Sequence, residues 1–148
     1  MKHKLVRIAL VVLEALVALS AIAGGLSLVT GTITFPIAWL QGTPFSDYTI
    51  PALVLAIVVG GSALLAAATV FIQREWAVLV SVAAGLFLAG YEVVHFALID
   101  HLDWFYASYF VLGLAIFALA TYLWMAEYRS SHLQTRHGSP AYSGVPKP

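Results

Sequence analysis

The chain has 148 residues, of which 61% are hydrophobic and 9% charged, and its mean hydropathy is +0.93. Water-soluble domains carry roughly 25% charged residues, and one core of this length cannot hide so much apolar surface, so an ordinary soluble fold is excluded and lipid is the implied solvent. Net charge is zero and there is no cysteine, which excludes disulfides, thiol chemistry, iron–sulfur clusters and thiolate zinc sites.

The first apolar run covers residues 5–29 and follows a basic start, Lys2-His3-Lys4. Ala21-Ile22-Ala23 has the small-residue pattern of a signal-peptide cleavage site. The run nevertheless continues to Val29 with Glu14 inside it, so an uncleaved helix is expected. Residues 30–49 then form the one sizeable connection. Phe35, Pro36, Ile37, Trp39 and Leu40 are too apolar for a free loop and predict a short interfacial segment packed on the top of the bundle. Gly42-Thr43-Pro44 reads as a turn, and Ser46 or Asp47 is placed to cap the next helix.

The second run, 50–72, has Pro51 in its first turn, where the missing N–H costs little. Gln73-Arg74-Glu75 is a break too short for anything but antiparallel neighbours. The third run, 76–99, ends at the equally tight Asp100-His101-Leu102-Asp103, and the fourth covers 104–126. Each exceeds the ~20 residues that carry an α-helix across ~30 Å of hydrocarbon. Lipid offers the backbone no hydrogen bonds, so all four are expected to be helical despite their many Val and Ile residues. The remainder, 127–148, is rich in Pro, Gly and Ser and is expected to be disordered. The predicted fold is therefore all-α: a membrane-spanning four-helix bundle over 1–126, with up-down antiparallel neighbours and a terminal tail.

Charge sets the orientation. Lys2, Lys4, Arg7, Arg74, Arg129, Arg136 and Lys147 all fall on one side of this map, whereas Asp47, Asp100 and Asp103 fall on the other. The positive-inside rule puts both termini in the cytoplasm, with the protein in the cell (plasma or inner) membrane. Trp39 and Trp104 then mark the outer interface, and Trp76 and Trp124 the inner one.

Small residues recur at helical spacing. Ala18, Ala21 and Gly25 share a face with Glu14, and Ser81, Gly85 and Ala89 share one with Glu92. Gly60, Gly61, Ala63 and Ala67 in the second helix and Gly113 in the fourth extend the pattern. Such faces let backbones approach in lipid, which turns both glutamates inward.

Glu14, Glu92 and His95 are the embedded titratable residues and the candidate functional groups. An ionised carboxylate at the bilayer centre costs roughly 2.5–3.5 kcal/mol on insertion scales, so such residues imply either function or interhelical hydrogen bonding. From the helical rise, Glu14 lies about 9–14 Å from the inner boundary and Glu92 about 10 Å from the outer one, too far apart to pair. Thr69, Ser81 and Thr121 are expected near Glu14. His95, Ser108 and Ser20 or Ser27 are expected near Glu92. Asp100, His101 and Asp103 make a candidate polar cluster at the outer mouth, although such residues at helix ends are commonly solvated or capping. A bis-histidine haem needs two facing histidines and only His95 is embedded, while His132 and His137 fall short of the three or four ligands of a metal site. With no phosphate loop, nucleophile elbow or basic patch, no catalytic residue, cofactor, metal or nucleic-acid partner is expected.

Glu14–Gly25, followed by Leu40-Gln41-Gly42-Thr43-Pro44-Phe45-Ser46-Asp47-Tyr48-Thr49-Ile50-Pro51, resembles a family of small bacterial four-helix integral membrane proteins. Those proteins carry Gly-Gly in the first helix and a G-[ST]-P-F-x-D-[YF]-x-I-P loop, and Tyr91-Glu92-Val93-Val94 is similar to the acidic segment of their third helix. The resemblance implies the architecture over residues 5–125 and brings no catalytic residue. A looser likeness to DoxX-type four-helix proteins rests on architecture alone and licenses no function.

Three roles fit these observations. The first is a non-enzymatic protein acting by helix association, with a second copy or a membrane partner. The second is a small oligomeric proton-linked transporter or channel using Glu92 and His95. The third is a membrane enzyme with a site at the outer mouth. The topology itself is testable: reporters fused at Trp39 and His101 should read as outside and one fused after Glu127 as inside, and a cytoplasmic signal at His101 overturns the map.

Overall fold

The computed structural model describes residues 2–73, 75–99 and 104–137, and every regular element among them is helical. Helix α1 runs over Lys2–Val29, and a 3-10 turn, Ile37–Leu40, follows in the connection. Helix α2 is Thr49–Phe71, α3 is Ala77–Leu98 and α4 is Trp104–His137. Four stretches, His3–Val29, Thr49–Phe71, Ala77–Leu98 and Trp104–Glu127, are long and apolar enough to cross a membrane. Arg74, the middle residue of the first predicted tight turn, and Asp100–Asp103, the whole of the second, lie outside the described residues.

Large apolar side chains are found at the surface as well as in the core. Leu5, Ile57, Leu79 and Val111 are more than half exposed, while Glu14, Ser81 and Glu92 are buried. The core that surrounds them draws on every helix, with Leu10 and Val17 from α1, Val59 from α2, Leu88 from α3, and Ile116 and Leu123 from α4.

The helices meet at glycines. A Cβ at Gly25 would lie 2.6 Å from the Ala52 carbonyl oxygen, and one at Gly60 would lie 2.6 Å from the Ile22 side chain. On the other helix pair, a Cβ at Gly85 would be 2.8 Å from the Phe117 nitrogen and 2.9 Å from the Gly113 oxygen. A Cβ at Gly113 would be 2.9 Å from the Ala89 nitrogen. Those at Gly25, Gly85 and Gly113 are backbone approaches that a larger residue would obstruct. At the loop end of α1, Gly31 takes φ +74° and the chain leaves the helix with its N–H bonded to the Leu28 carbonyl, as a left-handed terminating residue does.

Two elements depart from expectation. Hydropathy predicts one uniform second helix, but Val54–Gly60 is wound as a π-helix between α-helical Thr49–Leu53 and Gly61–Phe71. The transition begins just after Pro51, which supplies no N–H, and Val54 shares its own between the Ile50 and Pro51 carbonyls. Composition also predicts disorder from residue 127, yet α4 continues to His137. The physical reason is that residues 127–137 contain neither Gly nor Pro, and the first breakers are Gly138 and Pro140. Arg7 forms an ion pair with Glu127, tying this extension to the start of α1.

The glycine contacts yield a paired test. Gly85→Ala places a methyl against backbone and should cost about 1–3 kcal/mol from overpacking. Gly61, which has nothing within 4 Å of an added Cβ, should accept Ala and gain up to about 1 kcal/mol of helix propensity. Thermal melts in detergent should therefore move in opposite directions.

Candidate functional site

Helix α3 carries Tyr91, Glu92 and His95 on successive turns near its loop end, and all three border a cavity of about 220 Å³. Helix α1 contributes Ser20, Ala21, Gly24 and Leu28 to the wall, α2 contributes Pro51 and Leu55, and α4 contributes Phe105, Tyr106 and Tyr109. Leu55 belongs to the π-helical segment, so the irregular winding forms part of the cavity wall. The lining is mainly apolar and aromatic.

The connection after α1 covers this space. Phe35 stacks on Trp39 at a centroid distance of 5.7 Å and meets Tyr48 edge-on at 5.8 Å. The Tyr48 hydroxyl donates to the Pro36 carbonyl at 3.0 Å, and the Thr43 hydroxyl donates to that of Leu40 at 2.8 Å. Asp47 accepts the Thr49 N–H at 2.9 Å, which organises the entry to α2. Leu40 is buried, so the segment packs on the bundle as an apolar connector should. In addition, Ile33, Phe35 and Tyr48 line the cavity. A second space, about 190 Å³, lies beneath Leu40, Thr43 and Phe45 and shares Pro51, Tyr91, His95 and Ile99 with the first.

Glu92 and His95 do not pair with each other. Glu92 Oε2 and His95 Nε2 are both buried with no hydrogen-bond partner. The His95 ring instead lies over Tyr106, with centroids 4.2 Å apart and planes tilted by 31°. Tyr91 flanks it at 6.3 Å and donates its hydroxyl to the Pro51 carbonyl at 3.4 Å. Aromatic stacking, and not the neighbouring carboxyl, orients the imidazole. The hydroxyls expected to serve Glu92 are used elsewhere. Ser20 donates to Leu16 and Val17 carbonyls on its own helix and Ser108 donates to that of Trp104, although Ser20 does line the cavity.

Glu14 occupies a different setting. Its side chain is fully buried, as is Ser81, and the Ser81 hydroxyl is close enough to act on the carboxyl. Neither carboxyl oxygen nor that hydroxyl completes a hydrogen bond. Thr69 and Thr121, the other expected neighbours, bond to the Ala66 and Phe117 carbonyls of their own helices. Asp100, His101 and Asp103 lie outside the described residues.

Sequence reasoning located Glu92 and His95 but missed the aromatic residues around them. Tyr91 and His95 are four apart on one helix, and Phe105, Tyr106 and Tyr109 cluster in the first turns of another, which is a detectable pattern. In a membrane protein, aromatic residues near helix ends also read as interface anchors, and that masks the signal.

Comparison with protein-family models, curated proteins and solved structures returns no match.

Glu14 makes the sharper stability test of the two glutamates. A buried carboxyl that makes no hydrogen bond has none to lose, and replacing it with an apolar residue of similar shape is neutral or stabilising. Glu14→Met should hold or raise the melting temperature in detergent, and Glu14→Lys should lower it. A large loss in Glu14→Met would mean that the carboxyl ties helices together through bonds absent from this conformation.

Proposed function

We propose that the protein is a multi-pass membrane protein, an antiparallel four-helix bundle with both termini cytoplasmic, and that it works by binding a small molecule at its loop end. The ligand's apolar body occupies the cavity between α1 and α4, and its polar group meets Glu92 and His95. One observation carries this reading: an aromatic-lined cavity of about 220 Å³ bordered by Glu92 and His95, each of which has a buried side-chain atom without a partner. A dry cavity of ~150 Å³ accommodates benzene, so this one has room for a single substituted ring.

The membrane assignment is supported by the exposed Leu, Ile and Val side chains along all four helices and by the segregation of basic residues in the sequence. The antiparallel arrangement is supported by the contact pairs. Gly25 meets Ala52 and Ala56, and Gly60 meets Ile22 and Ala18, so residue numbers rise on one helix as they fall on the other. The resemblance of the Gly42–Pro51 stretch to small bacterial membrane proteins is compatible with this reading and adds no activity to it.

Binding fits better than passage. Between Glu92 and the depth of Glu14 the interior is filled by Val17, Ala84, Leu88 and Ile116, all buried and apolar. Association has less to recommend it, since the closest small-residue contacts, at Gly25, Gly60, Gly85 and Gly113, are made within the chain.

Gly24 supplies the test, because it borders the cavity and an added Cβ would meet only Leu55 at 4.0 Å. Gly24→Phe should fill the space. In lipid nanodiscs, 4-fluorobenzyl alcohol should give a saturable bound ¹⁹F resonance with the wild type and with Gly61→Phe, and none with Gly24→Phe. A bound resonance that survives Gly24→Phe places the ligand elsewhere and defeats the proposal.

A further inference from the structure

We infer that the cavity selects organic cations: molecules bearing one ammonium group on an apolar body of about one ring. The inference rests on the binding reading above and adds the sign of charge that the site prefers.

Among the described residues bordering the cavity, Glu92 is the one carboxyl and there is no Lys or Arg. Arg7 is paired with Glu127 at the opposite end of the bundle and is not available to it. His95, the remaining basic group among the described residues there, makes no ion pair with Glu92 and is held by its stacking on Tyr106. The site is therefore bordered by a carboxyl group that has no countercharge among the described residues. In a low-dielectric wall such a group favours a partner of opposite charge and repels an anion.

The surrounding rings add to the same preference. Phe35, Tyr48, Tyr91, Phe105, Tyr106 and Tyr109 border the space from two helices and the covering segment. An aromatic face attracts a cation through its quadrupole, and several faces around a carboxylate are the arrangement that recognises alkylated ammonium groups. A neutral molecule of the same shape would gain the apolar contacts and neither electrostatic attraction. The volume limits the body to about one ring and excludes large polycyclic cations.

The experiment uses two probes of nearly identical shape, (4-fluorobenzyl)trimethylammonium and its carbon analogue 1-fluoro-4-neopentylbenzene. Binding is read by ¹⁹F NMR on the full chain in nanodiscs. Wild type should bind the cation at least 10-fold more tightly than the analogue. Glu92→Gln should abolish that preference while still binding the analogue, which also reports an intact cavity. Tyr106→Leu should weaken the cation several-fold more than the analogue, and this second variant keeps the test valid if Glu92→Gln fails to fold. Equal affinity for both probes in the wild type, or a preference that survives Glu92→Gln, overturns the inference. If 4-fluorobenzyl alcohol binds and the cation does not, the inference falls and the binding site stands. If no probe binds saturably, both fall.

Discussion

Large apolar side chains stay exposed along all four helices, so hiding them is not what sets the packing, and what joins the helices is contact close enough for dispersion and for backbone groups to meet. In this chain that contact is made at Gly25 and Gly60 between α1 and α2, and at Gly85 and Gly113 between α3 and α4. Each is a place where a methyl group would collide with a backbone or side-chain atom of the neighbour. The rest of the molecule is arranged around these crossings. The buried leucines and valines fill the space beside them, and the exposed ones face outward where no partner is required.

The cavity follows from the same geometry. One turn beyond Gly85 and Ala89, helix α3 carries Tyr91, Glu92 and His95, and one turn before Gly113 helix α4 carries Tyr106 and Tyr109. Where glycines allow contact the backbones close, and where large aromatic residues follow they leave a space that rigid rings line but do not fill. The π-helical winding of Val54–Gly60 brings Leu55 to that space while Val59 and Gly60 remain in the packed region. The segment between α1 and α2 adds Phe35 and Tyr48, which belong to its own aromatic cluster, to the wall.

Glu14 and Glu92 make an instructive pair, since the same residue type is buried in two helices with different consequences. Around Glu14 the interior is packed and the nearby hydroxyls are occupied with their own helices or, as with Ser81, fall short of a hydrogen bond. Around Glu92 the interior is open, and aromatic rings take the place of packed aliphatic residues. A buried carboxyl marks a region worth inspecting, but its surroundings decide whether it is a cost carried by the fold or a contact offered to a ligand.

Four long apolar runs, separated by one sizeable connection and two short polar breaks, determine the number, type and approximate ends of the helices, because runs of that length and hydropathy are long enough to cross a membrane as helices. The inward placement of Glu14 and Glu92 is also legible, since small residues share their faces and mark where helices approach. The absence of Gly and Pro before Gly138 is a local signal that α4 continues past residue 126, but low hydropathy there obscures it. Tertiary structure alone decides that Glu92 and His95 stand apart, that Tyr106 orients the imidazole, and that aromatic residues from Phe35 to Tyr109 converge on one space. Hydropathy and spacing describe each helix against the membrane, whereas a cavity depends on the rotation and separation of four helices relative to one another, which is set by contacts between residues far apart in the chain.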